Sequence, residues 1–191
     1  MMERGKLIVV SAPSGCGKGT ILGRVLADKE RFYYSVSATT RKPREGEIDG
    51  VHYRFLTQED FKAKIAEGAF LEYAQYCDNF YGTLSAPIEE HLNLGQDVIL
   101  EIEVQGAMQI REKRPDAYFI FIAPPSLETL RERLIGRGTE PIEVIEKRVK
   151  QAESELSCRS AYDYCVVNDD LDTAVADFLS VVRAIELRVE A

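Results

Sequence analysis

Four apolar residues, Leu7-Ile-Val-Val10, run straight into the glycine-rich stretch Ser11-Ala-Pro-Ser-Gly-Cys-Gly-Lys-Gly-Thr20. Ile21, Leu22, Val25 and Leu26 then recur at helical spacing. A continuous apolar run suits a strand covered on both faces, so the order strand, glycine loop, helix predicts a mostly parallel sheet. A helix opening directly after such a loop presents free N–H groups and the positive end of its dipole, which suits phosphate. Gly15 and Gly17 let the backbone come close, and Lys18 reaches toward the outer phosphates. The loop departs twice from the strict pattern G-x-x-x-x-G-K-S/T: Ala12 replaces the first glycine and Gly19 replaces the hydroxyl. The first position only has to turn, so Ala12 is tolerable there. Gly19 removes a side chain that usually helps to hold Mg²⁺, and Thr20 becomes the nearest hydroxyl. The bland alternative is a glycine turn capping a helix, with Lys18 merely solvated; the flanking strand and helix weigh against it. Cys16 reads as a small filler.

Sheet signals return at Asp97–Val104 and Tyr118–Ile122, and Pro124-Pro125 closes the second. Ser126 is placed to cap a helix reaching about Ile135, which Gly136-Arg-Gly138 breaks. Ile142, Ile145, Val149, Ala152 and Leu156 form the stripe of a long helix, and Tyr164–Val167 a last short strand. Leu171, Val175, Phe178, Val182 and Ile185 stripe a terminal helix. Strands alternating with helices predict an α/β sandwich. The stretch Ser35–Thr83 differs: aromatic and polar residues mix with Arg41, Arg44 and Arg54. Short strands are expected there, with one helix near Gln58–Glu67, capped by Thr57 and packed through Phe61 and Ile65.

A net charge of −8 argues against broad nucleic-acid binding. Four cysteines without C-x-x-C spacing and two histidines give no zinc pattern, so reduced thiols are expected. The apolar run after the charged start is too short for a signal peptide, and Ala117–Ala123 is too short for a membrane span. These features predict a cytoplasmic protein with no membrane partner.

Beyond the loop, several segments resemble guanylate kinases of the nucleoside monophosphate kinase family. They are Ser35-Val-Ser-Ala-Thr-Thr-Arg-Lys-Pro-Arg44, Gly50-Val-His-Tyr53, Phe70-Leu-Glu-Tyr-Ala74 and Tyr81-Gly-Thr83. Glu101–Gly106, Ile122–Ser126, Arg137–Glu140 and Val167–Leu171 continue the series. The resemblance covers nearly the whole chain in the family's order. It implies an α/β P-loop NTPase fold, an adenylate-kinase-like parallel-sheet core with a GMP-binding insert and a lid. One domain, 1–191, would divide into core (1–34, 84–125 and 150–191), insert (35–83) and lid (126–149). It further implies ATP and GMP as substrates, Mg²⁺ accompanying ATP, and ADP and GDP as products, in purine nucleotide metabolism.

On that resemblance residues 12–20 (Ala12, Pro13, Ser14, Gly15, Cys16, Gly17, Lys18, Gly19, Thr20) hold ATP, and Asn168 lies where the family contacts adenine. Lys18, Arg133, Arg137 and Arg148 are the implied catalytic cations, contacting ATP phosphates or the group in flight. Arg131 reads as surface. Arg41 and Arg44, three apart around rigid Pro43, can clamp one phosphate with two guanidinium forks. The resemblance adds Tyr53 and Tyr81 to that clamp, with Ser35 and Ser37 lining the same pocket. A carboxylate can accept from guanine N1–H and its 2-amino group together; Glu72 is the implied reader, with Glu103 at a second acidic position and Thr83 toward O6. Glu101 and Glu103, two apart on the expected strand, should face one way, with Glu101 left unassigned.

Singly, Arg41–Arg44 reads as a solvated basic turn and Glu72 as a surface carboxylate; only the ensemble shifts that balance. Two other readings stand beside the kinase. A guanylate-kinase-like scaffold module would carry a degraded loop and neighbouring domains, for which 191 residues are expected to leave no room. A kinase of the same fold with another acceptor would not need Arg41, Arg44, Glu72 and Tyr81 together.

Overall fold

The computed structural model describes residues 4–28, 30–138 and 140–188. Thr139, within the Arg137–Glu140 motif, lies outside the described residues, as do residues 1–3 and 189–191 of the expected single domain. The chain divides into two compact units, one of residues up to Leu7 with 30–100 and 105–117, the other of the remainder.

In the second unit the apolar runs are parallel strands. β1 (Leu7–Ser11) pairs with β8 (Tyr118–Ala123) in register Ile8 to Tyr118, and β8 pairs with β9 (Tyr164–Val167) in register Ile120 to Tyr164. Every residue of β1 and β8 is buried, the state a continuous apolar run is suited to. Four helices belong here: α1 (Lys18–Val25), α5 (Leu127–Gly136), α6 (Ile142–Ser157) and α7 (Leu171–Glu186). Ser126 caps α5 by accepting from the Thr129 N–H, and Asp170 caps α7 by accepting from Thr173. Leu130 and Leu134 of α5 pack with Ile145 and Ala152 of α6 and with Cys16 of the loop, so the helix pair supports the loop. On α7 the buried stripe is centred on Ala174, Phe178, Val182 and Ile185; Leu171 and Val175 lie at its margin. Likewise Ile142 on α6 is exposed, and that stripe begins at Ile145.

In the first unit β2 (Phe32–Tyr34) pairs in parallel with β7 (Asp97–Glu101). A separate four-stranded sheet has the order β4-β3-β6-β5: β3 (Ala38–Thr39), β4 (Arg54–Phe55), β5 (Phe70–Tyr76) and β6 (Asn79–Leu84). It packs on α2 (Gln58–Ala66), which Thr57 caps by accepting from Asp60 N–H. Phe61 stacks on Phe70 at 4.3 Å between ring centroids, and Ile65 and Phe80 close the cluster. Gly82 permits close pairing of β5 and β6, since a Cβ there would lie 2.8 Å from the Glu72 carbonyl oxygen. Two further α-helices are α3 (Ser85–Asn93) and α4 (Val104–Lys113). The sequence reading runs β7 on to Val104, whereas the strand stops at Glu101 and α4 opens at Val104. The alternation continues through Ile102 and Glu103, and no Gly, Pro or Asn marks the switch. Glu101 and Glu103 therefore do not share a strand face.

Candidate active site

The phosphate loop is built from β1 into α1. Gly17, with φ of 82°, is the N-cap of α1; no side chain caps that terminus, and its first turn holds no acidic residue. Its first N–H groups therefore suit an external anion. A cavity of about 460 Å³ is lined by residues 12–20 with Glu101, Glu103, Arg137, Gln151 and Glu155. Lys18 Nζ lies 3.6 Å from Glu101, which gives Glu101 a partner. Burial, helped by the Glu155 carboxylate, pushes the Cys16 thiol up to about 12, so it stays a neutral filler. Burial also raises the Glu155 carboxyl, as does the charge of Glu103, against a hydrogen bond from Gln151. A second cavity, about 370 Å³, shares Gly15, Gly17, Thr20 and Arg137 with the first and adds Arg133, Asn168 and Asp169.

The expected cations reach this region in different ways. Arg137 lines both cavities. Arg148 donates to Ser14 Oγ at 3.0 Å and to Glu140. Arg133 spends its fork on two backbone carbonyls, Asn168 at 2.7 Å and Asp169 at 3.0 Å. Arg131 pairs with Glu146 on the surface.

The first unit carries a second constellation. Arg41 follows β3 and lies over the rings of Tyr53 and Phe55, at 5.3 and 5.8 Å from their centroids. Its fork grips Glu47 at 2.8 and 2.9 Å, and the Arg44 N–H donates to the same carboxylate at 2.7 Å. That hydrogen bond from Arg41, with Arg44's, holds the Glu47 carboxyl down at about 2. Tyr53 and Tyr81 meet edge to face at 6.3 Å. On β5, Glu72 is buried and accepts from the Thr83 hydroxyl at 2.6 Å. The surface reading of Glu72 taken singly thus gives way to a buried, hydrogen-bonded carboxylate. Ser35 is buried after β2, its N–H donating to Ile99, and the Ser37 carbonyl accepts from Arg54. From α4, Lys113 and Gln109 donate to the Leu71 and Tyr73 carbonyls, which flank Glu72 along the edge strand.

A family model for guanylate kinase matches residues 4–185. The chain belongs to the guanylate kinase family. A guanylate kinase of Lactococcus lactis is 49% identical over 190 residues, covering 100% of this chain and 93% of that relative. One of Latilactobacillus sakei is 52% identical over 190 residues, covering 99% and 94%. Among solved structures, a guanylate kinase of Anaplasma phagocytophilum superposes with a TM-score of 0.77 at 34% identity, covering 99% of this chain and 90% of that one.

Within this family member, sequence reasoning missed Glu47, Gln151 and Glu155, and gave no role to Glu140, which ends a quoted motif. Each is a partner or wall of an expected residue, found only by chain folding; Glu47, six residues after Arg41, offered the one local signal. Glu103 belongs to the second unit, lining the loop cavity.

Proposed function

We propose that this guanylate kinase family member transfers the γ-phosphoryl group of ATP to GMP, giving ADP and GDP. The observation that carries the acceptor is the layout along β6. Tyr81 and Thr83 are two apart on one strand face, about 7 Å from each other. Tyr81 sits beside Tyr53 in the cluster that includes Arg41, and Thr83 is bonded to Glu72. An anion end and a base-reading end at that spacing suit a nucleoside 5′-monophosphate. Arg41, Arg44, Tyr53 and Tyr81 would take the phosphate, with Ser35 and Ser37 beside them. Glu72 would accept from guanine N1–H and the 2-amino group, and Thr83 would donate to O6 once its hydroxyl proton turns there from Glu72. Adenine offers an acceptor at N1 and lacks the 2-amino group, so it brings Glu72 no donors; a site built to hydrogen-bond a substrate group rejects an analogue lacking it by about 10⁴-fold. Glu103 is assigned to the same base by resemblance.

The triphosphate would lie on residues 12–20, with Lys18, Arg137 and Arg148 offsetting its charge and Arg133 bracing the Asn168 segment. Asn168 is assigned to adenine by resemblance. The acceptor is already an anion, so the reaction asks for alignment and charge stabilisation rather than a strong base. The loop cavity's donors, the carboxylates of Glu101 and Glu103 and the Thr20 hydroxyl, are hard oxygens that suit Mg²⁺. No group of three such side chains is arranged to hold an ion among the described residues, so the ion would be held chiefly by nucleotide oxygens and water beside these groups. Mg²⁺ would supply neutralisation of the phosphates. The arginine-bearing stretch 126–149 would form the lid and 35–83 the GMP insert. The free thiols, two of them exposed, suit the reducing cytoplasm. No helix among the described residues is long and apolar enough to cross a membrane.

The test is ADP production from Mg·ATP with GMP, AMP, CMP, UMP or no acceptor. Turnover with GMP alone is expected. Folded protein that binds ATP but turns over with none of these would overturn the reading.

A further inference from the structure

Asn168 does more in this fold than stand near a base. It follows β9, is buried, and its N–H donates to the Ala123 carbonyl at 2.8 Å. Its side-chain Nδ2 donates to the Cys16 carbonyl at 2.7 Å. Its own carbonyl accepts from Arg133 at 2.7 Å. The contact is close: a Cβ on Gly17, already disfavoured by its φ of 82°, would lie 2.4 Å from Nδ2 and displace the amide.

The Cys16 carbonyl and the Gly17 N–H are opposite edges of one planar peptide unit. A group that pins the carbonyl also fixes the direction of the N–H, which then points away from Asn168. In a phosphate loop the N–H groups bind the anion, and a carbonyl turned inward would repel it. We propose that Asn168 is a positioning residue of the phosphate loop: its amide pins the Cys16 carbonyl and so presents the Gly17 N–H to a bound polyphosphate. Arg133, holding the Asn168 and Asp169 carbonyls, steadies the segment that carries this amide. The inference rests on the reading that this loop holds a triphosphate. It differs from an adenine contact in one respect: its effect is the same whatever base is attached, and persists with none.

The experiment uses Asn168→Leu, close in volume and uncharged, which removes the donor to the Cys16 carbonyl without placing a carboxylate beside the polyphosphate. Calorimetry with Mg²⁺ and tripolyphosphate, ATP or ITP is run on the wild type and the variant, with melting as a check on folding. Asn168→Leu should bind tripolyphosphate at least about tenfold more weakly, the loss expected for one buried hydrogen bond. ATP and ITP should each weaken by at least that factor, any excess for ATP measuring the adenine contact, with the KM for GMP unchanged. Wild-type affinity for tripolyphosphate in the variant overturns the inference, whether or not ATP binding falls. A wild type that binds neither ATP nor tripolyphosphate overturns the triphosphate reading instead. Should the variant not fold, the Asn168 side-chain amide protons of the wild type decide by NMR. Persistence of their hydrogen-bonded shift at saturating tripolyphosphate is expected, and its disappearance overturns the inference.

Discussion

The buried Glu72 carboxylate already has the Thr83 hydroxyl at 2.6 Å, so its burial costs less than that of a bare charge. Glu72→Gln keeps the volume but turns an N–H₂ toward donors. It should lower kcat/KM for GMP by roughly 10²-fold, as expected for lost hydrogen bonds to a charged group, and narrow the preference over AMP. Initial rates with both acceptors check this. Glu47 titrates in a direction that can be worked out. Its folded value, about 2, is below the ordinary 4.5, so its contribution to stability is full above that ordinary value and is lost as pH falls through the folded one. The melting difference between wild type and Glu47→Gln should therefore be largest near neutrality and shrink between about pH 4.5 and pH 2. The Arg41–Arg44 pair was legible in the sequence, but the carboxylate that the Arg41 fork grips was not. Which acid closes a basic turn depends on how Gly46 and its neighbours fold back, and no periodicity records that.

Among the elements, β1, β8, β9, α2 and α5 stood out in the sequence because periodicity and a capping hydroxyl or glycine agreed. α3 and α4 did not, although Ile88 and Leu92 on one and Ala107 and Ile110 on the other carry helical spacing. Pro87 sits in the first turn of α3, where its missing N–H costs nothing, yet in a sequence it looks like a breaker. α4 follows β7 with nothing to punctuate the change. The β5–β6 hairpin turns through Cys77 and Asp78, both at positive φ (47° and 62°), without a glycine. Such a two-residue turn favours Asn-Gly or Asp-Gly. Cys77→Gly removes a left-handed penalty and should stabilise the protein by about 0.5–1 kcal/mol after glycine's own entropy cost, seen as a higher denaturant midpoint at unchanged slope. Leu134→Ala works the other way. It hollows the α5–α6 cluster beneath Cys16 and should cost about 2–5 kcal/mol.

At the scale of the molecule, each compact unit carries one of the two clusters proposed to bind anions: the loop with Lys18, Arg137 and Arg148 in one, and Arg41 with Tyr53 and Tyr81 in the other. The order of motifs along the chain pointed to both, since each draws on short local segments. Links such as Asn168 to Cys16 join residues 152 apart and leave no local trace. The division has a thermodynamic consequence. A ligand stabilises the native state by RT ln(1 + [L]/Kd), about 2.7 kcal/mol at a hundredfold excess over Kd. For a chain of this size that is roughly 5–10 °C in melting temperature. Lys18→Met should abolish the shift produced by Mg·tripolyphosphate and keep the shift produced by GMP. Arg41→Met should do the reverse, after allowance for the unpaired Glu47 it leaves, which lowers the melting point of the free variant but not the ligand-induced increment. Differential scanning fluorimetry with each ligand separately reads all four combinations. Loss of both shifts in either folded variant would mean that the two clusters do not bind independently, and the assignment of one ligand to each would fall.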